Sequence, residues 1–280
     1  MECRRESRVG GSPGVMLRSG AMAFRRRFRC ERTMMIRKRI SVPVAAALLA
    51  GMVSCMPDVP DMVYVAGGTF DAGSVDSLAD DDERPLLRVE VESFYLGAYE
   101  VTQSEWTAVM GENPSRFRGG ERPVECVSWY DVQRFIRRLN RRTGRRYRLP
   151  TEIEWEFAAR GGVRNDRGLY SGGDLENVAW CASTAGGETH DVGGLQPNEL
   201  GIFDMTGNVH EWCADTYDSL LYVRSAGSGA AAEWLPGDEV TVRGGSWDSD
   251  AKYSRTANRN HVPPATISPT LGFRLAMDAP

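Results

Sequence analysis

Three segments open with a hydroxyl residue followed three places later by an acid: Thr102-Gln-Ser-Glu105, Ser128-Trp-Tyr-Asp131 and Thr151-Glu-Ile-Glu154. In this capping-box pattern the hydroxyl accepts from an early backbone N–H and the acid reaches back to the cap's own N–H, so each predicts a helix start. Behind the second, Val132, Phe135, Ile136 and Leu139 share one helical face. Arg134, Arg137, Arg138, Arg141 and Arg142 surround the other, which predicts a buried stripe and a solvated basic face ending at Gly144. The rest of the chain argues against a bundle. Its 30 Gly and 14 Pro punctuate short stretches of strand pattern. Met62–Val65 and Thr69-Phe70 read as two strands joined by a Gly67-Gly68 turn. Leu87–Glu92 alternates as a half-buried strand, and Phe94–Tyr99 continues towards the core. Thr241–Arg243 re-enters a strand and Gly272–Ala276 is a closing strand, while residues 161–199 read as irregular. Trp155 and Phe157 are expected in the core. A loop-rich fold rather than a bundle is expected.

Charge separates the N-terminus from the body. Residues 1–39 carry twelve Lys/Arg and three Asp/Glu, leaving 22 of the 34 basic and 35 of the 38 acidic residues, a net of −13, to the remainder. An acidic body argues against phosphate-backbone binding, so no nucleic-acid partner is expected. Arg37-Lys38-Arg39, the apolar run Ile40–Val53 and Ser54-Cys55 have the layout of a secretory signal. That run is too short to span a bilayer, which needs about 20 residues. Met52-Val53-Ser54-Cys55 resembles a bacterial lipobox, with Cys55 lipidated as the first residue of the mature protein. The division is therefore a misplaced start over 1–33, a lipoprotein signal over 34–54, a tether over 55–61 and a domain over 62–277. A lipid-anchored protein of the bacterial cell envelope is expected. Asp76–Glu83 is acidic without EF-hand spacing and reads as a solvated loop. Cys126, Cys181 and Cys213 are the body's cysteines; one disulfide among them is allowed, and the pair is open.

Seven motifs in order resemble one family. They are Val63-x-Val-x-Gly-Gly-Thr-Phe70, Glu100-Val-Thr-Gln103, Pro123-Val-Glu-Cys-Val-Ser-Trp129, Arg148-Leu-Pro-Thr-Glu-x-Glu-Trp-Glu156, Gly201-Ile-Phe-Asp-Met-x-Gly-Asn-Val-x-Glu-Trp212, Arg243-Gly-Gly-Ser-Trp247 and Gly272-Phe-Arg274. Together they resemble the sulfatase-modifying-factor, or formylglycine-generating-enzyme, domain. The resemblance implies a single α+β domain with a C-type-lectin-like core and low regular secondary structure. The family's oxidase uses copper at R-G-G-S-[WY]-x-C-x4-C, and here the two cysteine positions hold Ser249 and Ser254. A serine hydroxyl is a poor ligand for soft copper(I), so no copper and no oxidase activity are expected. Relatives that form carbon–sulfur bonds use histidine-bound iron, whereas His190, His210 and His261 are widely spaced. The resemblance also implies structural calcium at Asn208 and Glu211, with Asn177 as a further candidate.

Residues 248–271 resemble the variable tail of lectin-fold proteins diversified by retroelements, set on the framework Arg243–Trp247, Arg255, Asn258-Arg259, Pro264 and Gly272–Arg274. Short polar and aromatic side chains on a rigid scaffold make adaptable contacts. Asp248, Ser249, Asp250, Tyr253, Ser254 and His261 are the contact candidates, with Trp247 expected in the core. The expected function is non-catalytic recognition of a protein or glycan partner. The alternatives are a formylglycine-generating oxidase using other residues and a scaffold subunit of an envelope secretion machine.

Overall fold

All three capping boxes form. The computed structural model describes residues 60–164, 168–223 and 239–280. Within it, α1 (Gln103–Met110), α2 (Trp129–Thr143) and α3 (Glu152–Ala159) begin at Thr102, Ser128 and Thr151, each with the reciprocal hydroxyl and carboxylate bonds in place. Gly144 ends α2 in the left-handed region at φ 71°, and a short α4 covers Leu175–Val178. Replacing Ser128 with Ala removes one half of a box at the longest helix. We expect a loss of about 1 kcal/mol, read as a fall of about 2–4 °C in thermal midpoint for a domain of this size.

The strands fall into three sheets. β1 (Met62–Val65) pairs with β4 (Phe94–Gly97), β4 with β10 (Ala276–Asp278), and β10 with β5 (Tyr147–Arg148), all antiparallel. β2 (Gly68–Ala72) and β3 (Leu87–Val91) form a separate antiparallel ribbon. The last sheet has the order β8-β7-β6-β9, from β8 (Asn260–Val262), β7 (Val240–Arg243), β6 (His210–Thr216) and β9 (Leu271–Gly272), with β9 parallel to β6. The described residues make an α+β fold in which loops outweigh regular elements.

Two strand expectations need correction. β1 and β2 do not form a hairpin across Gly67-Gly68, because they belong to different sheets. Gly67 runs hard against the end of β3: a Cβ there would lie 2.5 Å from the Val91 carbonyl oxygen and 2.7 Å from the Ser93 nitrogen. Glycine is what lets the chain step between sheets at that distance. The closing strand is likewise two strands. β9 ends the third sheet, Phe273–Leu275 crosses over, and β10 enters the first sheet between β4 and β5.

The buried stripe of α2 is as predicted, with Val132, Phe135, Ile136 and Leu139 all buried. Phe135 stacks on Trp106 of α1 at 5.1 Å and meets Phe273 edge-on at 5.4 Å, joining helices to the crossover. A second cluster gathers Trp155 and Phe157 of α3 against Phe70 and β4. The leader, with Cys55, and the loop at 226–232 lie outside the described residues. Among the described residues no helix is long and apolar enough to cross a membrane.

Candidate functional site

The tail is held by buried charge. Four arginines of the C-terminal motifs each meet a glutamate from elsewhere in the chain. Arg243 binds Glu156 at 2.6 Å, Arg255 binds Glu83 at 2.6 and 2.8 Å, Arg259 binds Glu152 at 2.7 and 2.9 Å, and Arg274 binds Glu211 at 2.6 Å through two nitrogens. All eight residues are buried. In the three pairs made by Arg255, Arg259 and Arg274 the guanidinium meets the carboxylate at two points, which fixes orientation as well as charge. Each pair ties the C-terminal segment to another element: α3 twice, β6 once, and the acidic loop once.

The acidic loop is therefore not simply solvated. Glu83 is fully buried under Arg255. Asp80 takes Lys252 at 2.8 Å, and the Asp82 carboxylate accepts from the Tyr217 hydroxyl at 2.6 Å. Sequence reasoning missed this clamp. The available signal was the arginine spacing in a polar tail that has too few acids of its own to balance it.

Between these anchors the contact candidates divide. Asp248, Asp250 and Tyr253 are exposed, Tyr253 at 47%. Ser249 is partly exposed; its hydroxyl lies 2.9 Å from that of Ser246 and 3.4 Å from His210 Nε2. Ser254 is a correction, since it is fully buried and cannot touch a ligand at the surface. It packs beneath Gly245, whose φ is 74° and whose Cβ, if present, would lie 2.4 Å from the Ser254 hydroxyl. His261 sits apart on β8, stacked on Tyr217 at 4.0 Å with Nδ1 2.5 Å from Glu239. Trp247 is half-buried rather than core, edge-on to Phe117 with Nε1 donating to the Pro269 carbonyl.

This arrangement limits the chemistry available. Burial pushes the His210 imidazole down to about 4, so it is neutral near pH 7. Its Nδ1 has no hydrogen-bond partner, and the nearby Asp248 carboxylate accepts from Ser246 instead. No serine–histidine–acid relay is assembled, because nothing orients the imidazole as a base towards Ser249. The donor set does not fit copper(I) either. Both motif positions present hydroxyls, and the one body thiol tied to this loop is Cys181, a buried free cysteine whose neighbour Ala182 donates to the Ser249 carbonyl. Cys213 is a free thiol too, sealed in the core around Trp155.

The residues expected to hold calcium have other partners. The Glu211 oxygens take Arg274 and the indole N–H of Trp155. Asn208 donates to Glu100 at 2.7 Å and accepts from the His190 backbone N–H. Asn177 is exposed on α4. Glu211 is thus neutralised by an internal cation, and no calcium cage fits its carboxylate while Arg274 stays in place. Among the described residues no group of three His, Cys, Asp or Glu side chains could hold a metal ion.

The fold and these motifs define a formylglycine-generating-enzyme-like domain. The chain belongs to the family of the sulfatase-modifying factor enzyme 1-like domain, matched over residues 51–279. It is 34% identical over 223 residues to chaperone protein LppX of Paenibacillus barcinonensis, covering 60% of this chain and 77% of that one. It is 32% identical over 247 residues to serine/threonine-protein kinase pkn1 of Chlamydia pneumoniae, but spans only 38% of that protein against 79% of its own length. Similarity to the inactive C-alpha-formylglycine-generating enzyme 2 of Mus musculus is 34% over 177 residues, covering 57% and 50% of the two chains. The solved Treponema denticola variable protein 1 superposes with a TM-score of 0.65 at 29% identity, over 78% of this chain and 95% of that one. The family thus includes inactive members.

Proposed function

We propose that the protein is a non-catalytic binding module of the bacterial cell envelope, held by lipid at Cys55, that recognises a protein or glycan partner through Asp248, Asp250 and Tyr253. The observation that carries this reading is the division of the tail. Its arginines are locked inward by Glu83, Glu152, Glu156 and Glu211, while three side chains between or beside them project without an essential packing role. A rigid frame with free positions is what a recognition surface requires. Relatives named for a chaperone, an inactive enzyme and a variable protein support it.

A photo-cross-linking residue placed at Tyr253 tests the surface, with one at Tyr130 as a control of equal exposure, 47% each. In intact envelopes, position 253 is expected to give a discrete adduct that weakens on Asp250→Ala. Equal adducts from both positions would refute the reading. So would stoichiometric copper(I) uptake with turnover of a cysteine peptide, which is the outcome the oxidase alternative requires.

A further inference from the structure

We propose that the arginine face at the C-terminal end of α2 is a contact surface for anionic phospholipid headgroups, lying against the membrane that holds the anchor. This rests on the lipid-anchor reading for its geometry.

Arg137, Arg138, Arg141, Arg142, Arg145 and Arg146 fall within ten residues, and all six are exposed. They are six of the 22 basic residues in a body whose net charge is −13. Arg134, one turn earlier, is paired with Asp131. No salt bridge is formed by any of these six among the described residues. Arg138 and Arg142 instead reach the Met110 sulfur and the Ala108 carbonyl on α1, which hold them along the surface. This is concentrated, uncompensated positive charge on a protein that is otherwise acidic. Beyond about 8 Å the acidic remainder is screened at physiological salt, and of the six arginines only Arg145 shares a cleft with the acidic side chains Asp61 and Asp278.

The chain enters the fold at this place. Pro60, Asp61 and Met62 share a surface cleft with Tyr95, Arg145 and Met277. Five residue steps separate Cys55 from Pro60, at most about 18 Å of chain. An acyl group on Cys55 therefore keeps Pro60 within that reach of the headgroups, and Arg145, just beyond the end of α2, lines the same cleft as Pro60. A basic patch beside the anchor adds attraction to anionic headgroups and fixes which face of the domain lies against them.

The test removes the anchor so that the two contributions separate. Residues 55–280 carrying Cys55→Ser keep every described residue and the family match from that point. This protein is sedimented with vesicles of phosphatidylcholine alone, or with about 30% phosphatidylglycerol, at about 0.1 M salt. Binding to the anionic vesicles is expected to be at least tenfold tighter, since each arginine near such a surface contributes roughly fivefold. Reversal of Arg137, Arg138, Arg141 and Arg145 to Glu should abolish it with the thermal midpoint unchanged. Reversal of Arg84, Arg88, Arg118 and Arg164, a matched charge change elsewhere on the surface, should weaken it far less.

Equal binding to both vesicle types overturns the proposal, as do equal losses in the two reversal variants. Competition by inorganic phosphate beyond that of chloride at the same ionic strength would reassign the face to a soluble phosphate and also overturn it. Failure of the anchor itself is read separately, as the absence of an acyl mass on Cys55 in the unaltered chain.

Discussion

Glu156→Gln will leave the protein unfolded at temperatures where the unaltered chain is intact. Glu156 is fully buried and accepts four hydrogen bonds, from the Gly73 backbone N–H, Arg160, the Tyr222 hydroxyl and Arg243. Against the cost of its burial, Arg160 and Arg243 hold its carboxyl below the ordinary value, so it is ionised whenever the fold is present. Glutamine keeps the shape but removes the charge and points a donor at donors. Two guanidiniums then lose their shared counter-charge. Arg243 keeps only Glu152, at 3.6 Å, and backbone carbonyls. Breaking a buried pair by removing one partner costs about 3–5 kcal/mol, or roughly 10–15 °C in thermal midpoint at this size. Arg88→Ala, which removes an exposed pair with Asp71, should cost less than about 1 kcal/mol. A midpoint for Glu156→Gln within 2–3 °C of the unaltered protein, by about the same scale, would show that the charge network is not what holds the tail.

Glu125→Gln will make the protein more stable at pH 8 while changing little at pH 5. Burial pushes the Glu125 carboxyl up to about 7, with the Phe117 backbone N–H opposing on one oxygen and no partner on the other. An unfolded glutamate titrates near about 4.3. Between those values the folded state binds the extra proton, so this group's stabilising effect is present below the unfolded value and lost as pH rises through 7. Asp204 and Asp215, each raised to about 6 by burial, act with the same sign. His210, lowered to about 4, acts oppositely and is complete above about 6.5, its unfolded value. The difference between variant and unaltered protein cancels those shared contributions. It should grow to about 2–3 kcal/mol by pH 8, at about 1.4 kcal/mol per pH unit. Identical midpoint-versus-pH curves for the two proteins would remove Glu125 from this account.

What could be read from residue order was local. The capping boxes, the stripe on α2 and the stop at Gly144 depend on neighbours three or four places apart, and each formed as expected. The sheets depend on partners far apart, and there the reading slipped. Gly67-Gly68 resembles a hairpin turn because tight turns and close interstrand crossings both call for glycine; only the distance to Val91 separates the two cases. The site divided the same way. Exposed Asp248, Asp250 and Tyr253 lie where polar loop residues should. Ser254 could not be distinguished from Ser249 in sequence, since only the close approach of Gly245 decides which of them is covered. A lone glutamate in a turn-rich motif, here Glu211, calls for a cation without saying whether an ion or a distant side chain supplies it. Its counter-ion is Arg274, 63 residues away.

The insertion of β10 between β4 and β5 bears on when the fold can be completed. Gly97 and Arg274, bonded to each other, are 177 residues apart in the chain. During synthesis the first sheet lacks one of its two inner strands until β1 to β9 have been made, and pairings of such long range form slowly. Until β10 arrives, β4 and β5 each keep an open edge, which is where a growing chain is most exposed to pairing with its neighbours.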